Sequence, residues 1–220
     1  MQHRLISVII PTMNEEKAIG ETIDSLHSAL KKDNYEIIII DTNSTDSTVK
    51  IAKQKGARVI NEPRRGYGRA YMTGFSHAKG DIIATLDADA TYPVEKIIDF
   101  VNILEKENLD FISGLRKGAL SLKHRLGNKL ITITENVLFL VHLVDSQSGM
   151  WIFRSSILPS LNLKNESWPF SGEIKIEAWK KFRCREIPIK YSIRKGESKL
   201  HSWKVGTENI KFAFKKRFSR

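Results

Sequence analysis

Two carboxylates one residue apart, Asp87 and Asp89, stand in Thr85-Leu-Asp-Ala-Asp-Ala-Thr-Tyr-Pro93, directly after the apolar run Asp81-Ile-Ile-Ala84. Residues i and i+2 of an extended chain face the same side, so the pair can address one point beyond a strand end. A hard divalent cation takes oxygen ligands and completes its shell with water and substrate phosphates. Mg²⁺ or Mn²⁺ carrying a di- or triphosphate is therefore one reading. A metal-free turn before Pro93 and a pair of acid/base carboxylates are the others.

Further polar segments follow apolar runs. They are Pro11-Thr-Met-Asn-Glu15, Asp41-Thr-Asn-Ser-Thr-Asp-Ser-Thr48 and Glu62-Pro-Arg-Arg-Gly-Tyr-Gly-Arg69. Asp41 suits hydrogen bonds from a base or ribose, and Thr45 suits the N-cap of a following helix. Arg64, Arg65, Gly66, Gly68 and Arg69 combine close backbone approach with charge-assisted donors ahead of a helix, which describes a phosphate cradle. The stretch is neither Gly-x-Gly-x-x-Gly nor a P-loop.

These segments need elements to position them. Short branched runs at Leu5–Ile10, Glu36–Ile40, Ala57–Ile60, Asp81–Leu86 and Leu109–Ser113 read as strands buried on both faces. Helical patterns alternate with them over Glu16–Leu30, Thr45–Lys55, Gly68–Ala78 and Val94–Glu107. This alternation predicts a doubly wound α/β layer, whose ligands bind beyond the carboxyl ends of the strands. Later, Leu120–Val144 and Glu173–Phe182 read as helices, and Gly149–Phe153 and Cys184–Ile193 as strands. No Pro-, Gly- or Ser-rich linker divides them, so one domain is expected. In the tail, Trp203, Ile210 and Phe214 share a helical arc with Phe218 beside them, while Lys211, Lys215, Lys216 and Arg220 lie off it. Such a stripe fits a membrane interface or the protein's own core.

The 220 residues carry a net charge of +11, with 41% hydrophobic and 28% charged residues, a globular composition. Residues 1–113 hold 14 Lys+Arg against 17 Asp+Glu, and residues 114–220 hold 22 against 8. A basic half of this size suits nucleic acid, an anionic membrane or a phosphorylated substrate. A nucleic-acid-binding module leaves the acidic strand ends unexplained, and no nucleic-acid partner is expected. The single Cys184 fits a reducing, intracellular setting. The opening residues read as a strand rather than an export signal, and Val137–Val144 is too short to span a bilayer.

Together, Pro11-Thr-Met-Asn-Glu15, Asp41–Thr48, Gly66-Tyr-Gly-Arg-Ala70 with Gly74, Gly80-Asp81 and Asp87-Ala-Asp89 with Pro93 resemble family 2 glycosyltransferases of the GT-A fold. Gly114-Leu-Arg116, Asp145-Ser-Gln-Ser-Gly149, Glu186-Ile-Pro-Ile-Lys-Tyr191 and Arg194-Lys-Gly-Glu-Ser-Lys-Leu200 are similar to the dolichyl-phosphate mannose and glucose synthase branch. The resemblance implies an α/β, Rossmann-like GT-A (nucleotide-diphospho-sugar transferase) fold, a mostly parallel central sheet flanked by helices. The catalytic domain would span residues 1–202, with a basic amphipathic tail at 203–220.

The resemblance also implies roles. Pro11, Glu15 and Asp41 hold the nucleoside, and Arg69 lies near the diphosphate. Asp87 and Asp89 serve Mg²⁺ or Mn²⁺ and the nucleotide-diphospho-sugar. Arg116, Ser148, Arg194, Ser198 and Lys199 serve the phosphate of a polyprenyl or dolichyl acceptor. Asp87, Asp89, Arg116, Arg194 and Lys199 form the catalytic set. Departures are visible: Asp41-Thr-Asn-Ser44 replaces Asp-Asp-Gly-Ser, Ala90-Thr91 stands where Leu-Gln is common, and Met150-Trp151 where Phe-Arg is frequent. The implied enzyme displaces a nucleoside diphosphate with inversion, from a peripheral position on the cytoplasmic face of a membrane. A saccharide hydroxyl is the alternative acceptor and would need a general base, for which Glu173 and Asp145 are the candidates. Sugar, base and oligomeric state are not legible.

Overall fold

The computed structural model describes residues 4–118, 121–194 and 202–218. Seven strands, β1 (Leu5–Thr12), β2 (Asn34–Asp41), β3 (Arg58–Asn61), β4 (Ile82–Thr85), β5 (Phe111–Gly118), β6 (Trp151–Arg154) and β7 (Cys184–Tyr191), form one sheet in the order β3-β2-β1-β4-β6-β5-β7. β1 to β4 pair in parallel, as β5 does with β7. β6 alone runs antiparallel, to both β4 and β5. The sheet is therefore mixed, though mostly parallel. The sequence marked β6 as a strand but not its direction, because a short apolar run carries none.

The helices are α1 (Ile19–Leu30), α2 (Thr48–Gln54), α3 (Tyr67–His77), α4 (Lys96–Lys106), α5 (Leu122–Phe139), α6 (Phe170–Lys181) and α7 (Ser202–Phe218). Alternating strand residues feed two apolar layers. Ile6, Val8 and Ile10 of β1 join Ile19, Ile23 and Leu26 of α1 and Phe100 of α4 on one face. Ile9 joins Tyr71 and Phe75 of α3 and Phe170 of α6 on the other. In β6, Trp151 and Phe153 enter the second layer and Ile152 the first. Complete burial of these side chains stabilises the sandwich by about 1.5–3 kcal/mol each.

Two local expectations are corrected, and a third reading is narrowed. Thr45 is not an N-cap: α2 starts at Thr48, whose amide and hydroxyl both donate to Asp46 Oδ1, at 3.0 and 2.5 Å. The helix expected through Val144 stops at Phe139, where Leu140 turns into the left-handed region at φ 56°. The tail is helical, and of the two readings left open for its stripe, Phe214 and Phe218 do not take the core one. α7 buries Asn209 and Ala213 and turns Lys216 inward to Glu173 Oε1 (2.9 Å) and Glu177 Oε1 (3.0 Å), leaving Phe214 and Phe218 exposed. The Trp203 side chain lies outside the described set. No helix among the described residues is long and apolar enough to cross a membrane.

Candidate active site

The loops after β1, β2 and β4 converge at the carboxyl end of the sheet. The first two are laced together: Asn14 N donates to Ser44 Oγ (2.8 Å), Thr45 N to Asn14 Oδ1 (2.8 Å), and Glu15 N to Thr48 Oγ1 (2.7 Å). Asn14 and Asn43 take positive φ, which Asn tolerates better than most residues. Asp41 is buried, accepting from Thr12 Oγ1 (3.2 Å), Ser44 Oγ (2.5 Å) and Ser44 N (3.0 Å). Pro11 and Glu15 are half-buried on the same rim.

Beyond β4, Asp87 and Asp89 flank a chain reversal in which Ala90 is left-handed at φ 59°. Asp89 Oδ1 accepts from Thr91 N (3.1 Å) and Thr91 Oγ1 (2.6 Å). Thr91, one of the departures from the family's pattern, thus braces Asp89. Asp89 Oδ2 accepts from Arg194 Nη1 at 2.9 Å, and Arg194 Nη2 donates to Glu15 Oε1 at 2.6 Å. Asp87 lies among Tyr67, Tyr71 and Tyr92; burial and then the charge of Asp89 push its pKa up to about 7.

Because β6 runs opposite to its neighbours, its beginning rather than its end reaches this cleft. Thr85 Oγ1 donates to Gly149 O (2.7 Å) and accepts from Trp151 N (2.9 Å), while Gly149 N donates to Tyr92 Oη (2.7 Å). A Cβ at Gly149 would lie 2.7 Å from Tyr67 Oη and 3.4 Å from Asp87 Oδ1, so a side chain there would displace the wall beside the carboxylates.

Arg116, on β5, faces the same cleft. Its Nε and Nη2 donate to the two oxygens of Asp145 at 2.7 and 2.8 Å, and its guanidinium carbon lies 5.5 Å from the Tyr191 ring centroid. Burial works to raise the Asp145 pKa, but Arg116 more than offsets it and holds the carboxyl below its ordinary range. Behind this pair Lys175 is completely buried, donates to Asp145 O at 2.8 Å, and is pushed down to about 8 by burial. Glu135, equally buried beside it, is pushed up to about 7 by burial.

The glycine- and arginine-rich segment, read from the sequence as a phosphate cradle, packs against the chain around Glu166. A Cβ on Gly66 or Gly68 would collide with the carbonyls of Glu166 or Asn165, so these glycines admit a neighbouring chain segment. Arg69 pairs with Glu166, and its amide donates to Glu166 O at 3.1 Å. Arg64 donates to Glu62 at 2.8 Å, which holds that carboxyl down at about 2. Trp168 stacks on Tyr67 at 5.0 Å beside this contact.

The structure thus brings Glu15, Asp89, Arg194 and Arg116 within electrostatic reach of Asp87, with Asp145 held on Arg116. Ser148 is fully buried, and among the described residues its hydroxyl has no partner. Ser198 and Lys199 lie outside the described residues. Neither general-base candidate is idle: Asp145 is spent on Arg116, and Glu173 accepts from Lys216 (2.9 Å) and the amides of Lys164 (3.1 Å) and Asn165 (2.8 Å). Sequence reasoning missed the tyrosine wall, Glu166 and the buried Glu135 and Lys175; only the tyrosines flanking Gly66 and Pro93 offered a local signal.

Among the described residues no group of three or more His, Cys, Asp or Glu converges as a metal site. The Asp87–Asp89 pair nevertheless fits a cation. A positive group, the Arg194 guanidinium, already lies between Asp89 and Glu15, and Asp87 faces the same cleft with two further carboxylate oxygens.

Comparison with known proteins agrees with this geometry. The model of "Glycosyl transferase family 2" matches residues 7–160. The chain is 33% identical over 216 residues to a low-salt glycan biosynthesis hexosyltransferase of Haloferax volcanii, covering 94% of this chain and 52% of that protein. It thus spans about half the length of that relative. A dolichyl-phosphate hexose transferase of the same organism is 31% identical over 206 residues, with 91% and 89% covered. The crystal structure of glucosyl-3-phosphoglycerate synthase from Mycobacterium tuberculosis, in complex with Mn²⁺, UDP and glucosyl-3-phosphoglycerate, superposes with a TM-score of 0.80 at 21% identity, covering 97% of this chain and 80% of that one. The shared architecture is the GT-A fold.

Proposed function

The chain belongs to glycosyl transferase family 2, and from that premise we propose that it moves a hexose, with inversion, from a nucleotide-diphospho-sugar to a polyprenyl or dolichyl phosphate. The observation that carries the acceptor assignment is the engagement of Asp145 by Arg116 and of Glu173 by Lys216. A hydroxyl acceptor must lose a proton to a base in the transition state. A phosphate monoester has a second pKa of about 6 and is largely dianionic near neutrality, so it attacks without one. It needs positive charge, and Arg116, kept ionised by Asp145, supports that need. The name of the dolichyl-phosphate hexose transferase relative points the same way.

Asp87 and Asp89 would hold Mg²⁺ or Mn²⁺, which supplies charge neutralisation for the departing diphosphate. The chain's own residues do the rest. Asp41, fixed by Thr12 and Ser44, and the half-buried Pro11 and Glu15 form the nucleoside rim. Arg194, which spans Asp89 and Glu15, exchanges those carboxylates for oxygens of the acceptor phosphate. Arg69, by leaving Glu166, turns to the donor diphosphate. Arg116 orients the acceptor phosphate while Asp145 fixes its plane, and Ser198 and Lys199 add to that phosphate's contacts. The tyrosine wall around Asp87 keeps water from the reacting carbon.

The test is transfer of label from a panel of GDP- and UDP-sugars to a short-chain polyprenyl phosphate, with and without chelator. Label should enter the organic phase with one donor and vanish with chelator, and Asp89→Ala should lower the rate by about 10³-fold. No extractable label with any donor would overturn the proposal, and transfer to an added saccharide would replace its acceptor.

A further inference from the structure

One face of the molecule lies outside the cleft chemistry. α5 presents Leu126, Leu130, Ile133 and Val137 at alternating spacings of four and three residues, the spacing of a single helical face. They are 61%, 57%, 48% and 68% exposed, and Leu140, just past the helix end, is 83% exposed. The opposite face of α5 buries Ile131, Thr132, Glu135 and Phe139. α7 packs alongside, with Ala213 in the same small core as Phe139. Its Phe214 and Phe218, exposed at 49% and 69%, stack at 6.3 Å.

The charges beside this apolar surface have one sign. Arg125 and Lys129 are exposed on α5, and Lys211, Lys215 and Arg217 on α7. The only carboxylate within Leu122–Phe139 is the buried Glu135, and the only one within Ser202–Phe218 is the half-buried Glu208. A second copy docked through this face would bring like charges together around a two-fold axis. An anionic surface would satisfy them while the apolar side chains enter its oily layer.

We propose that the paired faces of α5 and α7 seat the protein on an anionic lipid bilayer. A helix with apolar residues on one side and Lys or Arg at its margin lies in the headgroup boundary. The placement matters for the cleft. α5 begins shortly after the strand that carries Arg116 and ends just before the loop that carries Asp145, and its buried Glu135 lies beside Lys175 behind that pair, so the helix that meets the bilayer also backs the Arg116 site. The inference deepens the acceptor reading above, on which its link to catalysis rests, and it moves the contact from the tail alone to a two-helix surface.

The test is co-sedimentation of the full chain with vesicles of phosphatidylcholine, alone or mixed with phosphatidylglycerol, with neither donor nor acceptor present. Binding to mixed vesicles only, weakened by salt, is expected. Leu130→Asp combined with Val137→Asp should weaken it by about tenfold or more, and Arg125→Glu with Lys129→Glu should do likewise without touching an apolar residue. Wild-type binding by both double variants, or no binding by the wild type, would overturn the proposal. So would a wild-type dimer in sedimentation velocity that the Leu130→Asp/Val137→Asp variant splits. Both variants should keep wild-type transfer to a water-soluble short-chain acceptor in detergent. Vesicle binding without any transfer would sink the transferase reading and leave this one standing.

Discussion

Single side chains in this protein are set by burial as much as by reach. Glu135 and Lys175 sit behind the Arg116–Asp145 pair, and both are driven toward neutrality by burial. For a carboxyl whose folded pKa is raised from 4.5 to about 7, stability is full below the unfolded value and is lost as pH rises through the folded one. The loss is on the order of 3 kcal/mol. Glu135→Gln removes that titration, so its melting temperature should overtake the wild type's between pH 5 and pH 8. Parallel melting curves across that range would show that Glu135 ionises as readily in the fold as in the unfolded chain. The same scale explains what the sequence hid. Asp87 and Asp89 were legible because period-two geometry is local, whereas Arg194 reaches Glu15 across 179 positions and Asp89 across 105, contacts that only the closed fold creates.

At the scale of elements, alternation of branched strands and amphipathic helices carried most of the architecture, and the strand-end loops fell where that alternation placed them. The last helix did not follow. Its buried face is Asn209, Ala213 and Lys216, and an aromatic stripe alone does not say whether it turns to the core or away from it. Lys216 bridges two carboxylates that are 1% and 7% exposed, so α7 is fastened partly by a buried ion cluster. Removing one member of such a cluster strands the others. Lys216→Met should destabilise the protein by about 3–5 kcal/mol in urea unfolding, whereas Lys215→Met, on the exposed side, should shift it by less than about 0.5 kcal/mol. Equal effects would mean that the cluster contributes nothing to docking the helix.

Across the whole molecule, charge is polarised along the chain: acidic strand ends belong to the first half and the cationic excess to the second. With a soluble short-chain acceptor, the KM for the anionic acceptor should rise about two- to fivefold from low salt to about 0.3 M as the basic half is screened, with kcat nearly constant. A KM indifferent to salt would confine acceptor recognition to the buried Arg116. The fold class was readable from pattern at this scale, while the antiparallel strand was not, and that strand constrains how the protein can diversify. Trp151 and Phe153 enter one layer and Ile152 the other, so inserting one residue at Met150 would exchange the faces of β6 and put indole and benzyl groups where an isoleucine fits. Length variation between Leu140 and Met150 must therefore be absorbed before Gly149. Relatives that change acceptor by remodelling this loop should vary at its outer end, around 140–144, and keep a fixed count of residues from Gly149 onward.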